Sequence, residues 1–170
     1  MVEHVGHRRL GDYFDQAYQV LRPGGLFLSH GIVTVDGVRP KSLTRRLTDW
    51  MWRGRGFIKH YVFPDSELLP LGEHVSAAER TGFEVRDVES LREHYALTLR
   101  HWVRRLESKR EEALRIVGEA TYRVWRLYMS ASAHQFAMGR INVEQLLLAK
   151  PLRSGETGLP LTRGDLYHAD

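Results

Sequence analysis

The sequence contains no cysteine, which excludes disulfides, zinc–thiolate centres and a cysteine nucleophile within these residues. It has no unbroken apolar run long enough to read as a membrane-spanning helix. Its first residues, Met1-Val2-Glu3-His4-Val5-Gly6-His7, place no apolar stretch behind a basic start, so they do not read as a secretory signal. Internal repeats and low-complexity tracts are also lacking. These absences fit a cytoplasmic protein. Lysine is scarce, and the basic residues are nearly all arginine, with a net charge of +4. Arginine's planar fork binds phosphate through two hydrogen bonds at once. Nucleic acid, an anionic membrane surface and a phosphorylated ligand therefore stay open as partners, beside a merely solvated surface. What is present suits one domain: 170 residues can bury a single core.

Hydrophobic periodicity orders the chain. Tyr13, Phe14, Ala17, Tyr18 and Leu21 recur at helical spacing, and Pro23-Gly24-Gly25 stops that helix. Leu26-Phe27-Leu28 and Ile32-Val33 flank Ser29-His30-Gly31 in a short apolar run, as in a strand buried on both faces. Between residues 34 and 56, Gly37, Pro40, Gly54 and Gly56 interrupt the chain around a short amphipathic helix carrying Leu43, Leu47, Trp50 and Met51. The aromatic stretch Phe57 to Pro64 follows, then a helix over 71–81 and a strand through Phe83, Val85 and Val88. A helix carries Tyr95, Leu99, Trp102, Val103 and Leu106. After a charged break at Ser108 to Glu112, a helical pattern runs through Leu114, Val117, Thr121, Val124, Leu127, Tyr128 and Ala131. Ile141 to Leu148 reads as a last, buried strand, and residues 151–170 as a loose tail. The order predicts an α/β fold of about three strands with flanking helices and a helical insert.

Several segments carry a family likeness. They are Glu3-His4-Val5-Gly6, Leu21-Arg22-Pro23-Gly24-Gly25, Ser29-His30-Gly31-Ile32, Tyr61-Val62-Phe63-Pro64, Leu91 through Trp102, and Trp125-Arg126-Leu127-Tyr128 leading to Phe136, Gly139 and Gln145. In this order, over about residues 1 to 150, the chain resembles the cyclopropane-fatty-acid synthases, including the mycolic acid cyclopropane synthases. The resemblance implies the C-terminal portion of a Rossmann-like class I methyltransferase sheet dependent on S-adenosylmethionine (SAM). It implies a substrate too: an unsaturated phospholipid or fatty-acyl chain, reached at the inner face of a membrane by peripheral contact.

In that family the acyl double bond attacks the sulfonium methyl of SAM, and a base then removes a proton so that a ring can close. In several members the base is a bound bicarbonate, held by a glutamate, a histidine, a tyrosine and a backbone amide. Carried over by motif, these are Glu3, His30, Tyr95 and the amide of Ile32. Taken alone, Glu3 also reads as a surface carboxylate, His30 as a hydrogen-bonded core histidine and Tyr95 as a helix-start anchor. Trp50, Trp52, Phe57, Tyr61 and Phe63 could line an acyl channel or simply pack. His4 and His7 have metal-compatible spacing, but no third ligand accompanies them, so no metal is expected.

The resemblance also marks departures. Asp65-Ser66-Glu67 stands where the family has glycine, and Leu68-Leu69-Pro70 is one residue longer than its commonest form. No glycine-rich turn after a first strand and no acidic residue after a second occur in context, so no cofactor-binding residue is assigned. The chain is expected to start after the first half of the domain, as a misplaced start, a disrupted gene or a split enzyme. It is accordingly expected to bind SAM weakly or not at all, and to expose one edge of the strand at 26–33. Two other readings compete: a non-catalytic acyl-binding relic, and a basic nucleic-acid-binding module, against which the arginines' scatter argues.

Overall fold

A computed structural model describes residues 2–35 and 56–167. The expected helix at 43–51, Trp50 and Trp52, and the arginines between 39 and 55 lie outside the described residues. Two single-turn 3₁₀ segments, Val2–His4 and His7–Arg9, lead into α1 (Leu10–Val20). The helix buries Leu10 and Phe14 and ends before Pro23, and Gly24 takes φ 73°, a conformation that glycine adopts without strain. Then come β1 (Leu26–Thr34), α2 (Phe57–Tyr61), α3 (Leu71–Arg80) and β2 (Glu84–Ser90). The chain continues through α4 (Arg92–Ser108), α5 (Arg110–Ala137), β3 (Ile141–Ala149) and α6 (Gly164–Tyr167).

The three strands form one sheet in the order β1-β3-β2, with β3 antiparallel to both neighbours. β1 and β2 therefore run parallel to each other on either side of the last strand. The pairing of β1 runs from Leu26 opposite Ala149 to Thr34 opposite Ile141. Side-chain alternation then divides the core into two layers. Phe27, Leu146 and Leu148 pack with Phe14, Ala77, Ala78 and Phe83 from the side of α1 and α3. Ile32, Ile141 and Val143 pack with Tyr95, Ala96, Leu99, Ala133 and Phe136 from α4 and α5.

The expected α/β order holds, with two corrections of detail. β1 is not buried on both faces: Leu26, Leu28 and His30 are exposed, while Ser29, Gly31 and Val33 are buried. Helices α4 and α5 meet β1 at Ile32 and leave the first part of that face open, and a short apolar run cannot reveal such partial cover. Nor is the long helix continuous. Gly118, at φ 75° and ψ 167°, breaks α5 near its start, although the apolar stripe passes through it undisturbed. Residues beyond β3 lie against the sheet's end. Leu152 approaches Gly24, and Arg163 Nε pairs with Asp87 Oδ2 at 2.6 Å.

Candidate functional site

The site forms along the edge of β1 away from β3, where among the described residues no strand lies beside it. Ile32 and Thr34 point their amides away from β3, toward that edge. The Thr34 amide donates to the Leu69 carbonyl at 3.1 Å. The Ile32 amide donates to Glu3 Oε1 at 2.7 Å. A backbone donor at a half-buried edge would otherwise stay unsatisfied, so the carboxylate satisfies the strand as the strand fixes the carboxylate.

Two local features bring Glu3 there. Val2 is buried directly over Gly31, and a Cβ on Gly31 would stand 2.3 Å from Val2 Cγ1. Only glycine lets the first turn lie that close to the strand. The turn is also strapped from the other side. The Glu67 amide donates to the Glu3 carbonyl at 2.8 Å, and the His7 amide donates to Glu67 Oε2 at 3.0 Å. Glu67, one of the departures noted from sequence, thus clamps the turn that presents Glu3.

Electrostatics tie residues from both layers to this carboxylate. Burial pushes the Glu3 carboxyl up, but the chain's N-terminal ammonium and the backbone hydrogen bonds it accepts, the Ile32 amide among them, together outweigh burial and hold it below 4.5. Glu3 is therefore an anion at neutral pH. Burial raises the Tyr95 phenol, and the charge of Glu3 raises it further. Tyr128 is raised by burial first, then by Tyr95 and Glu3, while a hydrogen bond with Ser132 pulls it back. On the other layer, burial and Glu3 raise Tyr13 against a bond with Ser29. Burial lowers His74 below 6.5, against the pull of Glu3 and Glu73. One carboxylate, three neutral phenols and a neutral imidazole share one field.

Aromatic rings wall the site. His4 meets Phe63 edge-on at 5.7 Å, Phe63 meets Tyr128 at 5.7 Å, and Tyr128 meets Trp125 at 5.6 Å. Tyr95 lies edge-on to Phe136 at 5.0 Å and to Trp102 at 6.1 Å. Such rings exclude water and present π-faces that attract a cationic centre.

The structure thus brings Glu3, the Ile32 amide and Tyr95 together. His30 sits two residues before Ile32, on the same strand face, opposite Gln145 and exposed. The two histidines with metal-compatible spacing go separate ways. His4 packs on Phe63, and His7 Nε2 lies 3.2 Å from Glu73 Oε2. Among the described residues no group of three ligand-type side chains could hold a metal. Sequence reasoning placed Tyr128 on a helical stripe and at the end of the Trp125-Arg126-Leu127-Tyr128 motif but did not name it as a site residue; that motif and its offset of four from Ser132 were the available signals. His74 and Tyr13 carried no motif at all. Glu144, across the β1–β3 pair from Gly31, is buried, its Oε2 has no partner among the described residues, and burial raises its carboxyl.

A family model described as mycolic acid cyclopropane synthetase matches residues 1–146. A protein described as a probable fatty acid methyltransferase, from Pseudomonas putida, is 44% identical over 170 residues, covering 98% of this chain and 40% of its own length. The cyclopropane mycolic acid synthase MmaA2 of Mycobacterium tuberculosis is 33% identical over 151 residues, 87% of this chain and 52% of its own. The solved structure of that cyclopropane synthase superposes with a TM-score of 0.78 at 32% identity, over 87% of this chain and 52% of the other. The crystal structure of mycolic acid cyclopropane synthase CmaA1 with SAH and CTAB bound gives 0.79 at 28% identity, over 86% of this chain and 51% of the other. The chain spans about half the length of these relatives or less, and its sheet is part of a class I methyltransferase fold.

Proposed function

The chain belongs to the mycolic acid cyclopropane synthetase family, and from that premise we propose that it forms the acyl-binding, proton-handling side of a lipid methyltransferase. The reaction is SAM-dependent transfer of a methyl or methylene group to the double bond of an unsaturated fatty-acyl chain. The substrate would be a phospholipid, met by peripheral contact at the inner face of the membrane. The observation that carries the reading is the Glu3 carboxylate fixed on the Ile32 amide, with Tyr95 and Tyr128 in its field.

The chemistry explains why such residues are needed. An alkene that takes up a methyl group becomes a carbocation, which water would trap as an alcohol. Phe63, Tyr95, Trp102, Tyr128 and Phe136 supply a water-poor wall whose faces attract positive charge. Glu3, ionised and held in place, adds a fixed counter-charge without needing to reorganise during the reaction. Loss of a proton from the acyl chain then closes a ring or leaves a branched product, and the proton must pass to a base at this edge.

SAM supplies the electrophilic methyl when bound. The glycines present do not fit it: the Gly24 amide donates to the Lys150 carbonyl at 2.8 Å and the Gly25 amide to the Arg22 carbonyl at 2.9 Å, leaving neither to cradle a ligand. No residue of this chain is therefore assigned to SAM. For bicarbonate, which the family resemblance implies as the base, His30 and Tyr95 would be the donors. The Ile32 amide is taken by Glu3 and so would not hold it directly; Glu3 could accept the anion's own hydrogen.

A chimera tests the proposal: this chain replaces the matching segment of the Pseudomonas putida relative, in a host rich in monounsaturated phospholipid that makes no such products itself. Gas chromatography with mass detection should find acyl chains heavier by one CH₂. An unmodified lipid profile, with the chimera folded and the parental relative active, would overturn it.

A further inference from the structure

Two segments meet over the turn that carries Glu3: residues 2–7, and the loop from Phe63 to Pro70 between α2 and α3. They are joined at three points. The His4 ring lies edge-on to Phe63 at 5.7 Å. The Glu67 amide donates to the Glu3 carbonyl at 2.8 Å. The His7 amide donates to Glu67 Oε2 at 3.0 Å. The loop is in turn fixed to the rest of the fold. The Ser66 amide and hydroxyl both donate to the Phe63 carbonyl, at 3.3 and 3.1 Å, and the Leu69 carbonyl accepts the Thr34 amide of β1 at 3.1 Å.

These contacts ask different things of the sequence. Any residue but proline at position 67 supplies an amide for the Glu3 carbonyl. The His7 amide needs an acceptor on the side chain, and a carboxylate makes that bond charge-assisted. It also needs room: Gly6 takes φ 72°, and a Cβ there would stand 3.0 Å from Glu67 Oε2. Glu67 therefore spans the turn, holding Glu3 by its backbone and His7 by its side chain. The other tie at that end is weaker. His7 Nε2 lies 3.2 Å from Glu73 Oε2, but the imidazole side chain is 66% exposed, where an ion pair contributes little. At the start of the turn Val2 packs over Gly31, an apolar contact that sets depth and not direction. The 2.7 Å bond from the Ile32 amide to Glu3 is directional, and a shift of about half an ångström weakens it.

We propose that Glu67 is a positioning residue for the methyl transfer: by taking the His7 amide it closes the turn around Glu3 and keeps the Glu3 carboxylate seated on the Ile32 amide. The inference rests on the lipid methyltransferase reading and adds to it a residue that acts through Glu3. Phe63, on the same loop, belongs to the aromatic wall through its contact with Tyr128. The loop thus holds the wall and the counter-charge at a fixed spacing, and the side chain of Glu67 is the part of that link that a substitution can remove without touching either.

The test compares Glu67→Ala, which removes the acceptor, with Glu67→Gln, which keeps an oxygen for the His7 amide. In the 170-residue chain, hydrogen exchange by NMR should show the Ile32 amide exchanging about fivefold faster in Glu67→Ala, the loss of one modest hydrogen bond, while the β3 amides keep their protection. In the chimera, assayed on monounsaturated phospholipid vesicles with SAM, Glu67→Ala should lower kcat about fivefold and leave KM for the lipid within twofold. Glu67→Gln should restore both readings. Unchanged Ile32 exchange or unchanged kcat in Glu67→Ala, an equal loss in Glu67→Gln, or faster exchange shared by the β3 amides would overturn the proposal. A chimera inactive with Glu67 intact removes the methyltransferase reading, and the exchange comparison still decides whether Glu67 seats Glu3. An active chimera indifferent to Glu67→Ala removes the positioning role alone.

Discussion

Glu3 and Glu144 are two glutamates close to the same glycine, with opposite fates. Burial raises the Glu3 carboxyl, but the chain's N-terminal ammonium and the backbone amides it accepts from together outweigh burial, so its carboxyl lies below 4.5. Its contribution to stability is therefore present above that pH and is lost as pH falls through the depressed value. Glu144 has the reverse sign. Asn142 Nδ2 donates to one of its oxygens, the other has no partner among the described residues, and burial raises its carboxyl. Its ionisation is then a cost that appears as pH rises past its ordinary value. Glu144→Gln keeps the acceptor for Asn142 and removes the buried charge. Urea denaturation should find this variant more stable at pH 7, by up to about 1–2 kcal/mol, with the gain vanishing near pH 4. A destabilised variant at pH 7 would mean that Glu144 has a stabilising partner. At this scale the sequence was informative only where a motif spoke. Glu3, Ile32 and Tyr95 were legible through family resemblance, whereas the buried Glu144, His74 and the Tyr128–Ser132 pair depend on which strand and helix faces meet.

Among the elements, the short Val2–His4 turn matters more than its length suggests. It has no helical stripe and no buried run, and it holds its place because Gly31 leaves room for Val2. Gly31→Ala puts a methyl group 2.3 Å from Val2 Cγ1, so the turn must lift and Glu3 must leave the Ile32 amide. Hydrogen exchange followed by NMR should show the Ile32 amide exchanging at least tenfold faster in this variant. The amides of β3 should keep their protection, because they bond on the strand's other side. Unchanged exchange at Ile32 would show that Glu3 does not depend on this close approach. The helices that frame the site were readable from periodicity: Phe14 on α1, Leu99 on α4 and Phe136 on α5 are the buried anchors. Incomplete cover over β1 and the break at Gly118 were not readable, since hydrophobic spacing records which residues are apolar and says little about how far a neighbouring helix reaches.

For the molecule as a whole, the sheet order explains the site's position. With β3 between β1 and β2, the edge of β1 is where residues from both layers can converge. Tyr13 and His74 reach it from the α1–α3 side, and Tyr95 and Tyr128 from the α4–α5 side. No sequence pattern announces this, because the strand pairing that creates the edge joins residues more than a hundred positions apart, such as Ile32 and Val143.

Glu3 is the shared charge of that edge, and tyrosine titration measures this without any need for turnover. With ¹³Cζ-labelled tyrosine, the Tyr95 and Tyr128 phenols should titrate above 10.0 in the native chain. In Glu3→Gln both should move back toward that value. A Tyr95 titration indifferent to Glu3→Gln, in a variant that remains folded, would contradict the convergence on which the functional reading depends.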